Sequence, residues 1–112
     1  MEAASKHQAK KITSAQTCTV HEYVFKNKAL DCALIKIRGR YPERGVALNE
    51  ECSEIAFVKD GRGRVVINNI GFPLHKESVV LIEPKEKFYW EGKLTLIMSC
   101  APAWRKEQYK II

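Results

Sequence analysis

Glu54–Val65 reads E-I-A-F-V-K-D-G-R-G-R-V, and this stretch decides the fold. A carboxylate opens a strand, with Ala56 and Val58 on the same face as Glu54 by the two-residue period. Asp60-Gly61-Arg62-Gly63 then carries the composition of a hairpin turn. Arg64–Asn68 returns as the next strand.

The same pattern extends in both directions. Upstream, Val20–Phe25 is rich in β-branched and aromatic residues. Ala29–Arg38 ends in A-L-I-K-I-R, where Ile35 and Ile37 alternate with Lys36 and Arg38. Gly39–Glu51 holds Gly39, Pro42, Gly45 and Asn49, which is loop chemistry. Downstream, Ser78–Ile82, Lys87–Glu91 and Lys93–Cys100 read as strands, the last two divided by a Glu91-Gly92 turn. Ala101-Pro102 ends the last long strand, and Trp104–Tyr109 reads as a short helix or edge segment. About eight short strands with regular turn signals predict an all-β protein, either a small barrel or a two-sheet jelly roll. Met1–Lys11 is polar and aperiodic and reads as a flexible N-terminal tail. Residues 12–112 then form one domain.

Composition narrows the function classes. The chain of 112 residues carries a net charge of +6. Its Lys and Arg are scattered among apolar, turn and acidic positions, with no basic block, so no nucleic-acid partner is expected. No 18-residue apolar run is present, so no membrane span is expected. Cys18, Cys32, Cys52 and Cys100 include no Cys-x-x-Cys pair, and Met1–Lys11 has no signal-peptide character. Reduced thiols in a cytoplasmic protein are the expectation. Cys52 lies beside Glu50, Glu51 and Glu54, a negative field that makes it a poor nucleophile.

From Ala29 to Trp104 the order of motifs resembles the cupin superfamily, specifically its small single-domain conserved barrels. Gly39 opens the segment matching the first cupin motif, Glu54 stands at its acidic position, and Gly61 follows after six residues. Val79-Val80-Leu81-Ile82 and Pro84 match the strand and turn of the second motif. Ser99–Trp104 is similar to the closing Pro-containing segment. The resemblance implies a double-stranded β-helix, the cupin jelly roll, and a homodimer as small cupins often form.

The departures concern the metal ligands. The two histidine positions before Glu54 fall on Ala47 and Asn49, or on Leu48 and Glu50 with the shorter spacing. The second-motif histidine position falls on Phe88. Only Glu54 remains of four family ligands, and one carboxylate cannot hold a divalent ion. No metal and no other cofactor is expected. His7 lies in the tail, His75 follows a turn, and His21 reads as a structural strand residue.

The resemblance points Glu54 into the barrel, where a carboxylate is unfavourable unless paired or hydrogen-bonded. One reading makes it a ligand anchor or general acid/base. The other makes it a structural group paired with Lys36, Arg38 or Arg64. Phe88 and Trp90 share a strand face and serve either as an aromatic pocket wall or as core. Tyr41 and Asn49 are candidates for polar contacts at the mouth. The candidate ligand-binding set is therefore Tyr41, Asn49, Glu54, Phe88 and Trp90, with no catalytic residue assigned. The expected function is a metal-free barrel binding a small organic or sugar-like ligand. The alternatives are a metal-independent isomerase, epimerase or lyase using Glu54, and an oxygenase with atypical metal ligands.

Overall fold

The structure is a computed structural model describing residues 1–112. Nine strands run in chain order: β1 (Lys10–Ala15), β2 (Cys18–Tyr23), β3 (Cys32–Tyr41), β4 (Ala47–Asn49), β5 (Ser53–Ile67), β6 (Ile70–Leu74), β7 (Val79–Ile82), β8 (Phe88–Ala101) and β9 (Tyr109–Ile111). Two short 3-10 turns, Lys6–Gln8 and Lys106–Gln108, complete the elements, and there is no α-helix. All strand pairings are antiparallel. The all-β jelly-roll expectation holds.

β8 is the spine. It pairs with β3 on one side and with β5 on the other over nearly its whole length. At one end the layer widens through β2 and β1 beyond β3 and through β7 beyond β5. At the other end β6 flanks β5, while β4 continues the β3 side and carries β9.

The crease between the two halves lies where Gly39, Gly92 and Gly63 stand side by side on β3, β8 and β5. Gly39 and Gly92 have φ of +116° and +127°, conformations that a Cβ disfavours. A Cβ on Gly92 would lie 2.6 Å from Gly63 Cα, so the missing side chains let the backbones close and the sheet fold over.

This crease corrects two sequence expectations. Asp60–Gly63 is no hairpin turn, because β5 runs unbroken from Ser53 to Ile67 with an irregularity in its register between Val58 and Asp60. Glu91-Gly92 is likewise interior to β8. Glycine in a sharply bent strand has the local composition of a turn, and only the long-range pairing separates the two. β1 was not anticipated. It starts at Lys10, inside the stretch expected as tail, and Glu2 accepts hydrogen bonds from the Lys26 and Asn27 amides.

The core lies between the halves. Ile37, Val58, Val65, Ile82, Leu94 and Leu96 are buried there, joined by Phe88 and Trp90 packed edge to face at 6.2 Å.

Candidate functional site

A cavity of about 500 Å³ opens inside the barrel. Ile12, Val20, Ile35 and Ile37 from β1–β3 form its aliphatic wall. Tyr41, Phe88, Trp90, Trp104 and Tyr109 form an aromatic one, and Glu54, Asp31 and Cys100 supply polar groups. An apolar hollow of this size with few convergent polar groups is the usual form of a small-molecule site.

Glu54 enters the cavity because β5 alternates: Glu54, Ala56 and Val58 are buried, whereas Ile55 and Phe57 face outward. Cys100 on β8 is its cross-strand neighbour. Glu54 is 4% exposed, and no cation pairs with it. The structural pairings expected for it do not form. Lys36 and Arg38 are exposed, alternating with the cavity residues Ile35 and Ile37. Arg64 bridges Glu91 at 2.8 Å instead.

Glu54 Oε1 accepts from Asn49 Nδ2 at 3.2 Å and from the Cys100 thiol at 3.6 Å. Oε2 bonds to no protein group and is not sealed from the cavity. Burial pushes the carboxyl up to about 7; the hydrogen bonds from Asn49 and Cys100 hold it down somewhat, and the negative charge of Asp31 adds to the rise. Below that pH the group is a neutral acid with a free oxygen facing the hollow.

Behind Glu54 a buried amide chain fixes the loop between β4 and β5. Gln108 Nε2 donates to Asn49 Oδ1 at 2.9 Å. Gln108 Oε1 accepts from the Glu51 and Cys52 amides at 3.2 and 3.3 Å. The two side-chain amides leave no polar group stranded and set the rotamer of Glu54 through Asn49.

The titratable neighbours respond to the same burial. The Tyr41 and Tyr109 phenols lie together, each altering the other's ionisation, and burial raises both. Burial also raises the Cys100 thiol, with the Glu54 and Asp31 charges adding to it. These groups are neutral hydrogen-bond donors at ordinary pH. Asp31 anchors the mouth: its Oδ1 accepts from the Cys100 amide at 2.7 Å and its Oδ2 from the Trp104 amide at 2.9 Å. Trp104 packs on Tyr109 at 5.5 Å between ring centres.

Of the sequence-derived candidates, Tyr41, Glu54, Phe88 and Trp90 line the cavity together. Asn49 does not line it. It is 1% exposed, and its side chain is spent between Glu54 and Gln108, so it supports the acid from behind. Asp31, Cys100, Trp104, Gln108 and Tyr109 are not among the site residues read from the sequence. Asp31 directly before β3 and the two aromatics in a closing segment were the only local signals for them.

The donor set does not suit a metal ion. Ala47, Asn49 and Phe88, at the positions aligned with the family's ligands, are all buried, and they offer a methyl, a committed amide and a phenyl ring. No three His, Cys, Asp or Glu side chains converge anywhere in the chain.

No protein-family model matches the sequence, and no curated protein matches it. Solved structures do match in shape. Streptomyces Pac13, a nucleoside dehydratase also solved with uridine, superposes with a TM-score of 0.90 at 12% identity, covering 100% of this chain and 91% of its own. Ectoine synthase from P. lautus gives 0.77 at 12% identity over 100% of this chain and 90% of its own. KdgF from Halomonas sp. gives 0.73 at 15% identity over 92% and 94%. With the creased jelly roll and its inward acid, these similarities show that the chain has the cupin fold.

Proposed function

We propose that the barrel binds a small, ring-bearing, hydroxylated molecule of sugar or nucleoside size and exchanges a proton with it through Glu54. The reaction class is a lyase or isomerase step that uses the carboxyl rather than a metal ion. One observation carries the reading: Glu54 is buried without a cation, with Oε1 held and Oε2 free toward a cavity of about 500 Å³.

A carboxyl that titrates near neutrality supplies both protonation states at working pH, the condition under which acid–base catalysis is efficient. In an elimination of water, the ionised carboxylate would take the proton from carbon, and the carboxyl so formed would give it to the departing hydroxyl. The C–H and C–O bonds would break, water would leave and Glu54 would end ionised as it began. Tyr41 and Tyr109 would hold a substrate oxygen through their phenols, and the aromatic wall would grip the ring. That one similar structure is a nucleoside dehydratase fits this class but does not assign it, since fold does not carry function.

A second reading has one observation in its favour. The Tyr41, Tyr109 and Cys100 protons in the cavity are all held more tightly, so none of these three supplies a partner that titrates beside Glu54. A pure binding module would need none. Four free thiols suit a reducing compartment such as the cytoplasm.

A panel of nucleosides and hydroxylated sugars separates the readings. Thermal shift finds the ligand, and NMR follows loss of water or uptake of solvent deuterium. Glu54→Gln should still bind the ligand, with turnover down roughly 100-fold or more. Binding without turnover in the unaltered protein supports the module. Turnover unaffected by Glu54→Gln contradicts the proposed acid.

A further inference from the structure

The positive charge of the chain is not spread evenly over its surface. Along the sequence the cations are scattered among apolar and turn residues, which is why no nucleic-acid partner is expected from the sequence. Strand alternation and register gather many of them in space. On β3, Ile35 and Ile37 line the cavity, so Lys36, Arg38 and Arg40 stand on the outer face. On β5, beyond the irregularity between Val58 and Asp60, Val65 is buried and Arg62 and Arg64 stand outward. On β8, Trp90 and Leu94 are buried, and Lys93 lies between Glu91 and Thr95 on the outside.

The register sets these side chains in rows across the crease. Arg38 lies beside Lys93 and Lys93 beside Arg62, three cations abreast. In the next row, Arg40 lies beside Glu91 and Glu91 beside Arg64. Like charges directly opposite each other destabilise a sheet, so the first row works against the isolated fold. Nothing in the chain offsets it. Glu91 is held by Arg64 at 2.8 Å, and the other ion pair, Arg105–Glu51, involves neither row. Asp60, the second carboxylate of this face, accepts from the Gly61 amide at 2.9 Å. Six cations against two carboxylates put most of the net charge of +6 on this one face.

We infer that this face binds the phosphate backbone of a single-stranded nucleic acid. Composition favours that occupant. Four of the six cations are arginines, whose planar guanidinium forks match phosphate oxygens. A chain with a pI of about 9.2 whose Lys and Arg cluster on one face carries the electrostatic footprint of such a partner. Neighbouring strands lie about 4.8 Å apart and alternate residues about 6.7 Å apart, so the cations cover a patch of roughly 10 by 13 Å. Arg40 adds a flat platform to it. Its guanidinium lies 3.8 Å from the centre of the Tyr89 ring, held there by the Pro42 and Gly45 carbonyls at 2.6 and 2.9 Å. Unpaired bases stack on guanidinium and aromatic planes of this kind. The chain has no α-helix to enter the groove of a duplex. The inference is independent of the cavity, which lies on the opposite side of the sheet.

Fluorescence anisotropy with a labelled oligouridylate of about 12 nucleotides tests it. The unaltered protein should bind with a Kd of about 1–100 µM at about 50 mM salt. With four phosphates contacted, log affinity should fall against log salt with a slope of about −3. Arg38→Ala combined with Arg62→Ala should weaken binding about 10-fold and make the slope shallower by about 1.4. Both residues are exposed, so the far-UV spectrum should not change. Lys26→Ala combined with Lys110→Ala removes the same charge from exposed positions off this face and should alter affinity less than about 2-fold. Amide shifts on binding should map to β3, β5 and β8 around the two rows, and this mapping decides the matter if the arginine variant fails to fold. No binding at about 50 mM salt, equal weakening in the lysine variant, or shifts centred on the cavity or another face would each overturn the inference. So would displacement of the probe by polyglutamate at a lower charge concentration than by unlabelled oligouridylate, which would make the occupant an acidic protein segment.

Discussion

Asn49 Nδ2 donates to Glu54 Oε1 across 3.2 Å, and this amide occupies one of the positions where the resemblance places an imidazole. The amide is a neutral donor and brings no positive charge to the carboxyl. Glu54 is thereby left as a buried acid whose ionisation is opposed by its surroundings rather than compensated. The first consequence concerns pH and stability.

The folded pKa of Glu54 lies near 7, above the ordinary 4.5 of the unfolded chain. Below pH 4.5 both states hold the proton, and the neutral carboxyl gives its full contribution. Between 4.5 and 7 only the unfolded state releases it, so stability falls by about 1.4 kcal/mol per pH unit. The total loss is on the order of 3 kcal/mol and is complete once the folded carboxyl ionises. Denaturant titrations from pH 4.5 to 8 should show this decline, and Glu54→Gln should flatten it. An equal decline in the variant would place its origin elsewhere.

The crease gives a sharper structural test. Gly92→Ala forces a Cβ to within 2.6 Å of Gly63 Cα at a φ of +127°. We expect a loss of roughly 2–4 kcal/mol, combining backbone strain with the clash. Gly71→Ala meets nothing closer than the Arg64 side chain at 3.7 Å and should change stability by less than about 0.5 kcal/mol. Urea melts of the two variants make the comparison. Similar losses in both would show that the crease does not depend on glycine.

These glycines also show what can be read from one sequence. The order Gly39, Glu54, Gly61, Val79–Ile82 was enough for the jelly roll, because strand patterning and motif spacing are local. The bend was missed because Gly61, Gly63 and Gly92 have the same neighbours in a crease as in a turn. Within the site, Glu54, Phe88, Trp90 and Tyr41 were legible from position and face. Gln108 and Asp31 were not, since each acts on residues far away along the chain: Gln108 bonds residues 56 to 59 positions away, and Asp31 bonds residues 69 and 73 away. The position of Asn49 near the acid was readable, but its two bonds, to Glu54 and to Gln108, were not.

Asp31 tests the mouth. Asp31→Ala strips the acceptors from the Cys100 and Trp104 amides, which should destabilise the fold by about 1–3 kcal/mol. Trp104 should become more accessible to acrylamide quenching, measured in a Trp90→Phe background so that one indole reports. Asp31→Asn keeps one acceptor and should lie between the two. Unchanged quenching in Asp31→Ala would show that the Trp104 segment holds its place without this tie.

The aromatic wall has its own signature. Phe88→Ala removes a ring that is 3% exposed and packed against Trp90, and it should cost about 3–4 kcal/mol through the cavity it leaves. Phe88→Leu should recover about half of that. Thermal unfolding at pH 6 measures both, and a loss below about 1 kcal/mol for Phe88→Ala would show the wall to be loosely packed.

The central claim is that Glu54 is a neutral acid in the cavity at mildly acidic pH. Carbon-13 NMR of the labelled Glu54 side-chain carboxyl, followed from pH 4 to 9, addresses it without any ligand. The account predicts a protonated shift through pH 6 and a midpoint near 7. A carboxyl already ionised at pH 5, titrating at or below the ordinary 4.5, would contradict it.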